Sequence, residues 1–224
     1  MTLDWSPVWD NRDRLLAGAG MTVVLAAVTM ALALPGGLIL AFLRLSPYRV
    51  VRGAATGFVE FFRATPILVQ LLWVNYAWPA LFGWPDTFFT AAWVALALQS
   101  SGYLAETFRG GIEAIPRGHR EAAYSVGMRP MLVFRRIILP QVALSTAPSI
   151  VNQFTVIVKS STLVSVITVQ DLMFESQRIV NIWYEPIEML TATAVIYIVI
   201  VFLVSTAGKA LSDMLRRRFG ITAA

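Results

Sequence analysis

Apolar positions fall in long unbroken runs along this chain, with neither the alternation of a strand nor the single stripe of a surface helix. Residues 17–43, 64–85 and 189–208 contain no Asp, Glu, Lys or Arg, at or beyond the roughly 20 residues a helix needs to cross a bilayer. Residues 87–105 form an uncharged run just short of that length, and residues 137–170 are interrupted only by Lys159. Five spanning helices are expected, and an odd number puts the termini on opposite sides of the membrane. The first run is too long for the apolar core of a cleaved signal peptide and no Ala-x-Ala site closes it, so it is expected to stay. Composition agrees: 57% hydrophobic and 14% charged residues leave too little polar surface to coat a water-soluble globule.

Charge then orients the spans. Arg44, Arg49 and Arg52 follow the first run, six arginines lie between residues 109 and 136, and Lys209, Arg216, Arg217 and Arg218 close the chain. The alternate loops hold only Arg12, Arg14 and Arg178 beside eight Asp and Glu residues. Basic loops face the cytoplasm, so the N-terminus is expected outside and the C-terminus inside. The tryptophans agree, since Trp5, Trp9, Trp73, Trp78, Trp84, Trp93 and Trp183 all fall in outer loops or outer halves of spans, where indoles favour the interface.

The loop after the third span is unusual. Residues 106–136 read ETFRGGIEAIPRGHREAAYSVGMRPMLVFRR, longer than a connection between adjacent helices requires. Pro116 suits the first turn of a short helix through Glu121, Ala122, Ala123 and Tyr124. Gly127 supplies a left-handed stop, and a second short amphipathic piece is expected around residues 131–137; Pro140 and Pro148 leave the start of the fourth span open, and a start near Thr146 would put Lys159 near mid-membrane. Paired alanines leave a low-relief face and Arg117, Arg120 and Glu121 supply rim charges, a surface that another protein can approach.

Glu121-Ala122-Ala123, followed by Gly127 and Ile138-Leu139-Pro140-Gln141, resembles the EAA motif of permease subunits in ATP-binding-cassette importers. Three further segments are similar to the polar amino acid permeases, the group of histidine, glutamine, arginine and glutamate importers. These are Glu60-Phe61-Phe62-Arg63-Ala64-Thr65-Pro66 with Leu68-Val69-Gln70, Ser101-Gly102-Tyr103-Leu104-Ala105-Glu106 with Phe108-Arg109-Gly110-Gly111-Ile112, and Lys159-Ser160-Ser161-Thr162-Leu163-Val164-Ser165-Val166-Ile167. The four segments stand in the family's order. Ala64 departs from the family's usual Gly, and Ser160-Ser161-Thr162 from its usual Asp or Asn followed by Thr-Ser, which leaves open which hydroxyl faces the pathway.

The resemblance implies an all-α membrane protein of five transmembrane helices, the transmembrane domain of a type I importer in the bacterial inner membrane. It implies a periplasmic segment at 1–14, a permease domain at 15–210 with a coupling loop at about 109–136, and a cytoplasmic tail at 211–224. Arg117, Glu121, Ala122, Ala123 and Gly127 would form the coupling element on a dimer of ATPase subunits. A second permease subunit, identical or related, and a periplasmic substrate-binding protein complete the expected partners, with a polar or charged amino acid as cargo and lipid around the spans. ATP and Mg would sit on the ATPase, because this chain has no G-x-x-x-x-G-K-[ST] loop. No cofactor, metal, catalytic residue or nucleic acid is expected.

Ionisable groups within spans cost on the order of 2.5–3.5 kcal/mol each, which makes them functional candidates. Glu60 and Arg63, three apart, either pair at the inner end of the second span or touch the pathway. Lys159, with Ser161 and Thr162, either lines a hydrated channel and offers donors to an amino acid carboxylate or pairs with a neighbouring span. Gln99 and Ser101 are pathway candidates whose residue types also serve helix packing. Gly36 and Gly37 permit a bend or a close approach. The lone His119 has no second ligand at metal spacing. An ion-coupled secondary transporter is the alternative class, but no repeat links the halves. A membrane-embedded enzyme lacks H-E-x-x-H and G-x-S-x-G.

Overall fold

The computed structural model describes residues 4–218. Residues 1–3 of the expected N-terminal segment and 219–224 of the expected tail lie outside the described residues, as do the side chains of Arg216, Arg217 and Arg218. Among the described residues the chain is helical throughout: α1 (Ser6–Asp10), α2 (Arg12–Arg44), α3 (Arg49–Ala64), α4 (Ile67–Phe82), α5 (Phe88–Glu113), α6 (Arg117–Ser125), α7 (Pro130–Ile167), α8 (Leu172–Trp183) and α9 (Pro186–Arg218). Four of them, α2, α5, α7 and α9, are each long and apolar enough to cross a membrane.

The fifth candidate span is a bent helix pair. α3 and α4 pass the same test only together and are bent by 105°, whereas the charge-free run alone places the second span at 64–85. The break follows from Pro66, whose ring disfavours helix at the preceding residue, and Thr65 is extended at φ −84°, ψ 133°. A break in lipid frees backbone carbonyls that must be satisfied. Here the buried Gln70 amide donates to Phe62 O at 2.8 Å and to Thr65 O at 2.9 Å, and Gln99 Nε2 donates to Thr65 O at 3.4 Å.

The fourth crossing also differs from expectation. The short piece expected at 131–137 is not separate from the span that follows it; α7 runs over 38 residues from Pro130. A wide π-type turn at Phe134–Ile138 immediately precedes Leu139 and Pro140, and such a turn accommodates the missing N–H and the bulk of a proline ring. The connection that carries α6 therefore shrinks to the residues between Glu113 and Pro130, while residues 211–218 of the expected tail continue α9.

α5 is the central helix, with Ala92, Ala95, Leu96, Leu104 and Ala105 each at most 1% exposed. It runs against α2 where small residues let the backbones approach. A Cβ added at Gly37 would lie 2.6 Å from Leu104 Cβ and 3.1 Å from Ala105 N, and one at Gly36 would lie 2.6 Å from Ser101 Oγ. Close approach, rather than a bend, is what these glycines provide. α9 instead turns Ile187, Leu190, Val195, Ile198 and Phe202 outward, as a helix in contact with lipid does.

Short α8 is held between two spans. Asp171 caps it by accepting from Phe174 N at 2.9 Å, Leu172 N donates to Thr22 Oγ1 of α2 at 3.2 Å, and Tyr197 of α9 donates to Asp171 at 3.2 Å. Trp73, Trp78, Trp84 and Trp93 make a continuous aromatic chain with centroid separations of 5.6, 6.5 and 6.3 Å.

Candidate functional site

α6 is short and mostly solvent-facing. Pro116 occupies its N-cap, and Gly127 ends it at φ +77°, a conformation that costs glycine little and other residues more. Met128 N bonds Ala123 O at 3.1 Å while Gly127 N bonds Tyr124 O at 3.0 Å, the crossed pair that closes a Schellman stop. Ala123 is buried against the protein, whereas Arg117, Glu121, Ala122 and Gly127 are exposed. Tyr124, Val126 and Met131 add exposed apolar area of 49%, 75% and 75%. No ion pair engages Arg117, Arg120 or Glu121 among the described residues. His119 Nδ1 lies 3.1 Å from Gln141 Oε1, which ties α6 to α7.

Where the end of α2 meets α5 lies a charge network whose link between the two helices, Arg44 to Glu106, no spacing along the chain reveals. Glu106 bonds both Arg44, the last residue of α2, and Arg109, one turn further along α5. Arg109 Nη1 reaches on to Glu113 Oε2 at 2.5 Å. Glu60 and Arg63 of α3 pair at 3.6 Å, and the Arg63 guanidinium lies 5.3 Å from the centre of the Tyr103 ring.

The remaining pathway candidates separate into two groups. Ser101 is buried and its hydroxyl reaches Ala33 O of α2 at 3.5 Å. Ser161 is wholly buried and donates to Val158 O at 2.8 Å, within its own helix. Gln99 is half-buried at the α3–α4 break. Thr162 donates to Lys159 O at 2.8 Å, and Lys159 itself is exposed. The structure adds Ser145, Ser149 and Asn152, which are exposed with Lys159 along α7. Their spacing of four, three and seven residues was available as a helical signal, diluted by the valines between them. Next to this stripe a cavity of about 400 Å³ opens between α7 and α9, lined by Asn152, Thr155, Ser205, Lys209, Ser212 and Asp213 among others.

Four long apolar helices with a bent fifth candidate span, an exposed knuckle between α5 and α7, and a polar stripe on an otherwise apolar helix define a multi-pass permease subunit. The sequence model of the binding-protein-dependent transport system inner membrane component matches residues 33–221, and the chain belongs to that family. It is 32% identical to the arginine transport system permease protein ArtQ of Bacillus subtilis, over 96% of this chain and 99% of that one. It is 33% identical to the glutamine transport system permease protein GlnP of Escherichia coli, over 92% and 94%. A crystal structure of an amino acid ABC transporter with histidines superposes at TM-score 0.87 with 32% identity, covering 96% of this chain and 100% of that chain. The methionine transporter MetNI in an inward-facing conformation shares the fold at TM-score 0.74 and 21% identity. The protein is thus an inner-membrane permease subunit of an ABC importer, a class in which a separate ATPase hydrolyses ATP and a binding protein delivers the cargo. No observation favours an ion-coupled carrier.

Proposed function

We propose that this subunit carries a polar or charged amino acid inward across the membrane by alternating access, with force entering through α6. The exposed, rigidly stopped knuckle at Glu121–Ala122 carries this reading. Its low relief and uncommitted charges suit a cleft on an ATPase subunit, and the Schellman stop gives the lever a defined end. ATP and Mg belong on that partner. Cargo chemistry is supported by the arginine and glutamine permeases that the chain resembles over nearly its whole length.

The basic ends of α2, α5 and α9 face the cytoplasm in this reading, and the N-terminal helix and tryptophans face the periplasm, where the binding protein docks. Two permease subunits, identical or related, enclose the path between them, because one chain leaves the α7 stripe uncovered and polar groups do not face lipid. Closure of paired ATPases then rocks the two subunits about the path.

Glu121→Lys is the test. Membrane insertion should be unchanged, while ATPase capture and the stimulation of hydrolysis by loaded binding protein should fall by at least about tenfold, the effect of losing roughly 1.4 kcal/mol at a docking contact. Unchanged stimulation would remove the docking assignment.

A further inference from the structure

We propose that Glu106 is the joint through which displacement of α6 is passed to α2, a positioning residue for transport and not a contact to cargo. This rests on the docking role proposed for α6. Glu106 lies on α5, seven residues before its end, and only Ala114, Ile115 and Pro116 separate that end from α6. Its carboxylate is divided between two helices. Oε2 accepts from Arg44 of α2, and both oxygens accept from Arg109 Nε at 3.2 Å. Arg109 hands the connection on to Glu113 at the end of α5. The Arg44 side chain is 12% exposed, and among the described residues its charge pairs with Glu106 alone.

The network is balanced but asymmetric. Arg44, Arg63 and Arg109 meet Glu60, Glu106 and Glu113, three charges of each sign drawn from α2, α3 and α5. Arg63 already lies within electrostatic reach of Glu106, and its Nε is buried without a partner. Arg63 is held by Glu60 and by the Tyr103 ring, so among the described residues Glu106 is the carboxylate that ties α2 to α5. Displacement of the end of α5 beyond the Gly36–Gly37 lock loads the Arg44–Glu106 pair first, and keeping or breaking that pair is a discrete change at the end of α2.

Fastening alone would not require this arrangement. α2 and α5 are already locked at Gly36 and Gly37, where the added Cβ would come within 2.6 Å of α5. The carboxylate adds control of the far end of α2, where the packed seam stops and long side chains take over. Removing its charge leaves the nearly buried Arg44 unpaired, which loosens the end of α2 and lowers stability there.

The experiment uses the complete transporter, copurified with its ATPase and binding protein from native membranes and reconstituted in liposomes. Uptake of a mixture of labelled arginine, histidine, glutamine and glutamate is measured together with ATP hydrolysis. Glu106→Gln should keep ATPase capture and lower the thermal unfolding midpoint of the complex without unfolding it, while cargo moved per ATP by the assembled complex falls by about tenfold, within the usual range of coupling factors. Glu106→Asp, which retains the charge, should recover part of the ratio. An unchanged ratio in Glu106→Gln overturns the proposal. So does a loss of stability that accounts for the whole loss of uptake, which would make Glu106 a fastening only. A wild-type complex in which α6 can be cross-linked to no ATPase would remove the docking reading, and this proposal with it.

Discussion

The α2–α5 seam and the α7–α9 seam both turn on a glycine, and they are built for opposite purposes. At Gly37 the neighbours are the Cβ of Leu104 and the backbone of Leu104 and Ala105, with Ala33 and Ala41 buried on either side. At Gly208 the neighbours are the methyl groups of Val151, both 2.6 Å from an added Cβ. The first seam continues as buried small residues along the helices. The second packs larger side chains, Val151 against Gly208 and Phe154 in one apolar cluster with Val204, and beside them opens into the cavity lined by Asn152, Thr155, Ser205, Lys209 and Ser212. A seam of backbone against backbone moves as one body; a seam of side chains bordered by a polar gap can change its angle. The difference separates the part of the subunit that transmits a displacement from the part that is reshaped by it.

The comparison breaks first at Gly37. Gly37→Val places branched carbon against main-chain atoms that have nowhere to go, and overpacking of that kind costs about 1–3 kcal/mol or more. Loss of assembled complex and a clear fall in the thermal unfolding midpoint are expected. A midpoint unchanged from wild type would show that the seam is not tight. Gly208→Ala is a milder insult with the same nominal overlap, because Val151 borders free volume and can rotate away. Its cost should be about 1 kcal/mol or less, and Val151→Ala should relieve it. Failure of that second change to relieve it would mean that the contact is not what limits the substitution.

The sequence made the spans readable because hydrocarbon imposes long charge-free runs, and it made the α6 stop readable because Gly127 has a single mechanical use there. It hid features whose partners are distant. Arg44 and Glu106 are 62 residues apart, and no periodicity relates them. The α3–α4 break was hidden differently: half of that crossing is made by α3, whose Glu60 and Arg63 made the charge-free run look like the whole span. The start of α7 stayed open in the sequence because Pro140 and Pro148 both read as boundaries until a π-type turn is seen to absorb the first. Ser101 and Ser161 show the remaining gap, since composition offers a hydroxyl but only packing decides whether it faces a path or its own helix.

The smallest expected effect on stability sharpens the open side of the comparison. The Asn152 side chain is exposed and has no hydrogen-bond partner among the described residues. Were the α7 stripe in lipid, Asn152→Leu would stabilise the complex, since it removes a polar group from hydrocarbon. Facing a hydrated path or the second permease subunit, the same change should leave stability within about 0.5 kcal/mol, as surface substitutions do, and should slow uptake, because an apolar side chain then narrows a polar channel. Thermal unfolding and uptake measured on one preparation distinguish the two settings. A raised midpoint with normal uptake would assign the stripe to lipid, and the seam beside it would lose its claim to be the part that reshapes.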